Sequence, residues 1–244
     1  MAVQSGSVDK GVLSATFNIS ERSDIPSDQG SRKVLIASLD FQVDPEWVCI
    51  PREDECVFLR CKITNSSQFT FLPGEVSVFI NDSFVSKSRI QHVPPNDSFQ
   101  LPLGIDPALR VTYAPVRTHK RLDTQPGFTS QGYQKQPRQE TTEHSQFITI
   151  RNARPMAVLA LYILDHVPVS NDSTIKVNVT SPPGLRESNR PVEGGTKEQR
   201  HETWVRPQWG VRARWAPPGI GEGAIEWVCA IGAGEEIELK LGWE

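Results

Sequence analysis

The 244-residue sequence has no run of about 18 apolar residues, the minimum for a helix that crosses a bilayer. Its first residues, Met1 to Gly6, also lack the basic and apolar regions of a secretory leader. A soluble chain with no membrane association is expected, with the cytoplasm as the default compartment. Cysteine is scarce. The four thiols, Cys49, Cys56, Cys61 and Cys229, are too few to staple a chain of this length, and their spacing lacks the paired Cys-x2–4-Cys knuckles of structural zinc sites. Cys61 and Cys229 fall in phase with apolar stripes, so reduced core thiols are expected. Charge of one sign is lacking too: 26 Lys and Arg against 29 Asp and Glu leave a net charge of −3, and no electrostatic case for nucleic acid.

Standard catalytic signatures are missing. The histidines, His92, His119, His144, His166 and His201, form no His-x-His or His-x3-His pair. His201-Glu202 is followed by Val205 where the zinc-helix motif requires a second histidine. No Gly-x-Ser-x-Gly elbow marks a nucleophile. Asp165-His166 places an acid beside a base, but neighbours on a strand point to opposite faces and cannot pair directly. Gly219-Ile220-Gly221-Glu222-Gly223 has the glycines of a phosphate cradle without the following Lys-Ser/Thr or helix, and is expected to be a turn. His144, with Glu140 and Glu143, is expected to be a charged strand entry. No catalytic residue, metal ligand or cofactor is therefore assigned.

What the sequence does have is period-two alternation, which places apolar residues on one face of a strand. Stripes run through Leu13, Ala15, Phe17 and Ile19; through Leu35, Ala37, Leu39, Phe41 and Val43; and through Val57, Leu59, Cys61 and Ile63. Val76, Val78 and Ile80 lead into Asn81-Asp82 and return through Phe84 and Val85, a hairpin signature. Leu109, Val111 and Tyr113 alternate again. Later stripes are Phe147 to Ile150; Ile175, Val177 and Val179; Ile225, Trp227, Cys229 and Ile231; and Ile237, Leu239, Leu241 and Trp243, the last two joined by Gly232-Ala233-Gly234. Ala157 to Leu164 is almost continuously apolar and suits a strand buried on both faces, with a short core helix as the rival. Short strands joined by Gly, Pro and Asn turns predict an all-β fold of two β-sandwich-like (immunoglobulin-like) units. Their expected bounds are 8–115 and 144–244, joined by a long basic linker or loop at 116–143 where the apolar pattern stops.

The segment 196–218 stands out. Trp204, Trp209 and Trp215 are interleaved with Arg206, Arg212 and Arg214, residue types enriched at binding hot spots because they combine large apolar area with directed donors. The bland alternative is that the indoles cover a sheet edge while the arginines snorkel outward. A second basic stretch, Arg117, His119, Lys120, Arg121, Lys135 and Arg138, lacks close aromatic interleaving and is expected to be a solvated loop. Asn-x-Ser/Thr sequons begin at Asn18, Asn65, Asn81, Asn96, Asn171 and Asn178. The leading expectation is a non-enzymatic interaction module that binds a protein or glycan through the six Trp and Arg residues. Its rivals are a hydrolase or metal-dependent enzyme assembled from dispersed His, Asp and Glu, and a purely architectural domain.

Several strings, in order, resemble the C-terminal part of the mucoidy inhibitor A-like family of unknown function. They are Ala15-Thr16-Phe17, Ile25-Pro26-Ser27-Asp28, Trp47 to Pro51, Leu72-Pro73-Gly74, Phe84 to Arg89, Leu103-Gly104-Ile105-Asp106-Pro107, Asp165 to Ser170, and Ile175-Lys176-Val177. The resemblance implies an all-β C-terminal region preceded in the family by another domain and a coiled coil, expected to be missing here; the architectural alternative has this chain packing against that region. It also implies a link to bacterial exopolysaccharide production, with no chemistry attached to any residue.

Overall fold

A computed structural model describes residues 8–10, 15–17, 27, 30, 34–80, 82–123, 139–172, 174–185 and 204–244, and every regular element among them is a β-strand. The all-β expectation holds. The chain forms two compact units that interleave along the sequence, Met1–Pro45 with Arg60–Gly104, and Glu46–Leu59 with Ile105–Glu244. A single sequential boundary was expected; strand pairing explains the interleaving. Strand β3 (Val43–Ile50) lies parallel to β11 (Val158–His166), with Trp47 opposite Leu161. Strand β8 (Leu109–Tyr113) is antiparallel to β10 (Gln139–Asn152). Segments from before the expected linker thus complete sheets built mostly from residues after it.

The expected linker range itself contains strand. Arg117–Asp123 forms β9, antiparallel to β10 from Gln139 to Ser145, while residues 124–138, with Lys135 and Arg138, lie outside the described residues. Hydrophobic periodicity misses β9 because the strand has almost no apolar residue to alternate. Polar cross-strand contacts hold it: Arg121 lies 3.3 Å from Glu143, and Thr118 hydrogen-bonds His144 Nδ1 at 3.2 Å.

In the second unit the smaller sheet runs β12 (Val179–Ser181), β16 (Glu236–Trp243), β10 and β8, with β9 also on β10. The larger sheet runs β13 (Val205–Gln208), β14 (Val211–Trp215), β15 (Ala224–Ile231), β11, β3 and β4 (Asp54–Thr64). Inward residues of both sheets share one core. Ile163, Ile225, Trp227, Cys229 and Ile231 from the larger sheet pack in it with Ile148, Ile150, Leu239 and Leu241 from the smaller. Each such side chain contributes about 1.5–3 kcal/mol by leaving water, so this shared burial dominates the stability of the pair of sheets.

Strand β11 departs from the sequence expectation of two buried faces. Val158, Leu161 and Ile163 are buried, but the register is irregular between Val158 and Leu161, and Leu159 is 80% exposed there. A bulge leaves the extra residue unpaired and re-aims its side chain. Ile175 and Val177, expected in a strand, precede the short β12 without regular structure.

In the first unit, β1 (Val8–Lys10) and β2 (Ala15–Phe17) pair antiparallel. Strands β5 (Gly74–Ile80) and β6 (Ser83–Ile90) form the expected hairpin, whose turn holds Asp82 at φ 59°. Strand β7 (Ser98–Ile105) pairs with β4. The alternation at Leu35–Phe41 makes no strand; Leu35 is exposed, and Phe41 packs edge-on to Phe71 at 5.7 Å. Alternation supplies a face but not a partner strand. Asn65 is fully buried, with Nδ2 donating to Phe69 O at 2.7 Å and Oδ1 accepting from Ser67, so in the folded protein this sequon is inaccessible to a glycosylating enzyme.

The cysteines are all free thiols, with Cys49, Cys61 and Cys229 buried and Cys56 half-buried. Burial pushes the Cys49 and Cys229 thiols up to about 12, which keeps them protonated and unreactive at neutral pH.

Candidate functional site: the β13–β14 hairpin

Strands β13 and β14 pair antiparallel with Gln208 opposite Val211, and Trp209-Gly210 closes the turn. Gly210 has φ +72°, in the left-handed region, and a Cβ there would lie 2.7 Å from the Ala230 carbonyl oxygen. Only glycine fits. The Ala230 N–H donates to Gly210 O at 2.7 Å, and Gln208 Nε2 donates to Glu238 O at 3.1 Å. The tip is thereby fastened to both neighbouring strands, β15 and β16.

Period-two geometry divides the six predicted residues among different jobs. Val211, Ala213 and Trp215 point inward, and Trp215 is buried in the core. Arg212 and Arg214 point outward, and their guanidinium carbons stand 5.0 and 4.4 Å from the centroid of the Trp204 ring. Arg214 Nε also donates to Glu226 Oε2 at 2.6 Å across the β14–β15 ladder. Arg206 is exposed. Trp209, at the turn, is 96% exposed. The structure therefore brings Trp204, Arg212 and Arg214 together, sends Trp215 into the core, and leaves Trp209 in water.

Two exposed apolar residues absent from the sequence prediction lie at the same end of the larger sheet as Trp209. Met156 is 62% and Leu159 80% exposed, in the turn before β11 and at its bulge. Val158 pairs with Ile231, and Gly210 is bonded to Ala230, so both lie at the same end of the larger sheet as the hairpin tip. Buried Asn152 fixes that end: Nδ2 donates to Met156 O at 3.0 Å and to Gly232 O at 2.9 Å, while Oδ1 accepts the Arg154 N–H. No signal in the sequence separates Leu159 from its core neighbours, because a bulge has no fixed residue signature.

The opposite end of β11 has different chemistry. Tyr113 Oη donates to Asp165, 3.2 Å from either carboxylate oxygen, and the His166 N–H donates to Oδ1 at 2.8 Å. Burial raises the Asp165 carboxyl above its ordinary range, only partly offset by these bonds and by Arg52. His166 itself is exposed and pairs with Arg52, so Asp165 and His166 form no side-chain dyad. Burial likewise raises the Tyr113 phenol. Among the described residues no group of three His, Cys, Asp or Glu is placed to hold a metal. His144 stacks on Trp243 at 5.3 Å. A crevice of about 270 Å³ lined by Val167–Ser170 and Ile175–Asn178 has Lys176 as its one charged wall residue.

The architecture and this hairpin define an all-β domain with an exposed aromatic tip. The sequence matches the model of a domain of unknown function, DUF4139, over residues 4–244, and the chain belongs to that family. It is similar to Protein F37C4.5 of Caenorhabditis elegans, 26% identical over 193 residues that cover 79% of this chain and 33% of the worm protein. The chain thus spans about a third of that relative's length. No solved structure matches.

Proposed function

We propose that this chain is a non-enzymatic β-sandwich interaction module that docks a protein partner on the β13–β14 hairpin, with Trp209 as the anchor. The observation that carries this reading is an indole left 96% exposed on a turn that is fastened at Gly210 and Gln208. A fastened tip has already lost most of the freedom that binding would otherwise remove, and a buried Trp is a common energetic centre of an interface. Between the two partner classes suggested by the sequence, protein is favoured over glycan. Exposed Met156 and Leu159 at the same end are side chains whose burial a polar sugar does not reward. The ordered strings from Ala15-Thr16-Phe17 to Ile175-Lys176-Val177 support kinship with the mucoidy inhibitor A-like proteins and, with it, a role beside further domains.

The test is site-specific photocrosslinking in cells, with a photoreactive phenylalanine at position 209 and, as control, at exposed Arg110 on the smaller sheet. A discrete protein adduct is expected from position 209 only, and excess Trp209→Ala protein should fail to compete for it. Equal adducts from both positions, or none from 209, would sink the docking reading.

A further inference from the structure

The charges around Trp209 say what surface it docks on. Residues 204–221 contain Arg206, Arg212 and Arg214 and no carboxylate. The protein neutralises one of the three: Arg214 is ion-paired with Glu226 at 2.6 Å, both side chains being largely buried. Arg206 and Arg212 are exposed, and among the described residues neither is ion-paired with a carboxylate. Arg212 lies opposite Val228, not an acid, and its guanidinium carbon stands 5.0 Å from the centroid of the Trp204 ring, a contact that limits the side chain's freedom. Stacked arginine keeps its directed donors while losing little further freedom when it binds a carboxylate. The nearest strand of the other sheet places Glu238 beside Gln208, but it meets the hairpin through its backbone oxygen. The hairpin that carries the tip thus has two exposed guanidinium groups without an ion pair among the described residues, one of them placed over an aromatic face.

Resting on the docking reading above, we infer that the hairpin's partner is an acidic protein segment, an apolar or aromatic pocket for Trp209 rimmed by Asp or Glu side chains that Arg206 and Arg212 meet. Apolar contact at the tip supplies the larger part of the affinity, and the arginines supply orientation and faster encounter. An anionic membrane would share the charge but not the pocket, and is the competing outcome.

The probe is a phage-displayed library of random peptides panned on the full chain. Binders that need Trp209 are expected to be enriched in Asp and Glu around an apolar centre. Their affinity should fall about tenfold or more in the Arg206→Gln/Arg212→Gln double variant, and also as salt is raised from about 50 to about 300 mM. Arg206→Gln alone, which does not touch Trp204, should account for part of that loss with the fold unchanged by circular dichroism. If the binders need Trp209 but carry no acidic bias and ignore both arginines, the acidic partner is wrong while the docking reading stands. If no binder depends on Trp209, both fall. Trp209-dependent sedimentation with vesicles of phosphatidylcholine and about 20% phosphatidylserine, at affinities above those of the peptides, would overturn the protein partner in favour of a lipid surface.

Discussion

Strand β14 has a tryptophan beside each end, and the two are treated in opposite ways. Trp215 pairs opposite Ile225, which in turn faces Asp165, and is buried where Tyr113 and Asp165 hydrogen-bond. Trp209, just before the other end, is almost wholly in water beside a glycine turn. One end of the sheet pair therefore hides an indole and a carboxylate together, and the other displays an indole with Met156 and Leu159. Residue type does not separate them. What separates them is strand parity and the turn: position 215 has the inward phase of Val211 and Ala213, while position 209 lies beyond the last ladder pair, where no facing sheet covers it.

Four substitutions bear on this contrast. Trp215→Ala should cost about 4 kcal/mol in urea unfolding, the usual range for emptying a buried Trp site, and a loss under about 1 kcal/mol would deny its core role. Gly210→Ala should cost about 2–3 kcal/mol, since alanine must adopt a left-handed φ and its Cβ meets the Ala230 oxygen. If Gly210→Ala is neutral, the tip is not fastened to β15 as described.

Asp165→Asn tests the buried end through pH. The folded Asp165 carboxyl is raised above its unfolded value by burial, so the native state binds this proton more tightly than the unfolded chain does. Its contribution to stability is complete below the ordinary carboxyl range and is lost as pH climbs toward the raised folded value. Asparagine still accepts from Tyr113 and has no charge to bury. Stability measured from pH 3 upward should therefore fall less steeply with rising pH in the variant, and identical slopes would refute the assignment. Smallest of all, Trp209→Ala should change stability by no more than about 0.5 kcal/mol, as expected for an exposed side chain. A large loss would mean that the indole is covered and cannot serve as a docking anchor.

Much of the core was legible without coordinates. The stripes at Leu109–Val111, Ile225–Ile231 and Leu239–Leu241 all became inward faces, and Val57 joined the same core, because alternation in a strand has a direct geometric meaning. Strand β9 was not legible, since polar pairing across a ladder leaves no hydrophobic period. Neither was the interleaving of the two units, which depends on β3 reaching β11 across more than a hundred residues. The candidate site was half legible: its residue types drew attention to 204–215, but not to which indole would be exposed or that Met156 and Leu159 would join it.

The sequence by itself determined that this chain is built of strands, which of their faces are apolar, and that tryptophan and arginine are concentrated in one segment. Those are local properties, written in periodicity and composition. Tertiary structure alone decided which partner each strand has, where a bulge turns Leu159 outward, and that Trp215 is buried in the core and Arg214 ion-paired with Glu226 while Trp209, Arg206 and Arg212 are left exposed. Burial and ion pairing depend on neighbours brought together from distant positions in the chain, and no local pattern encodes those neighbours.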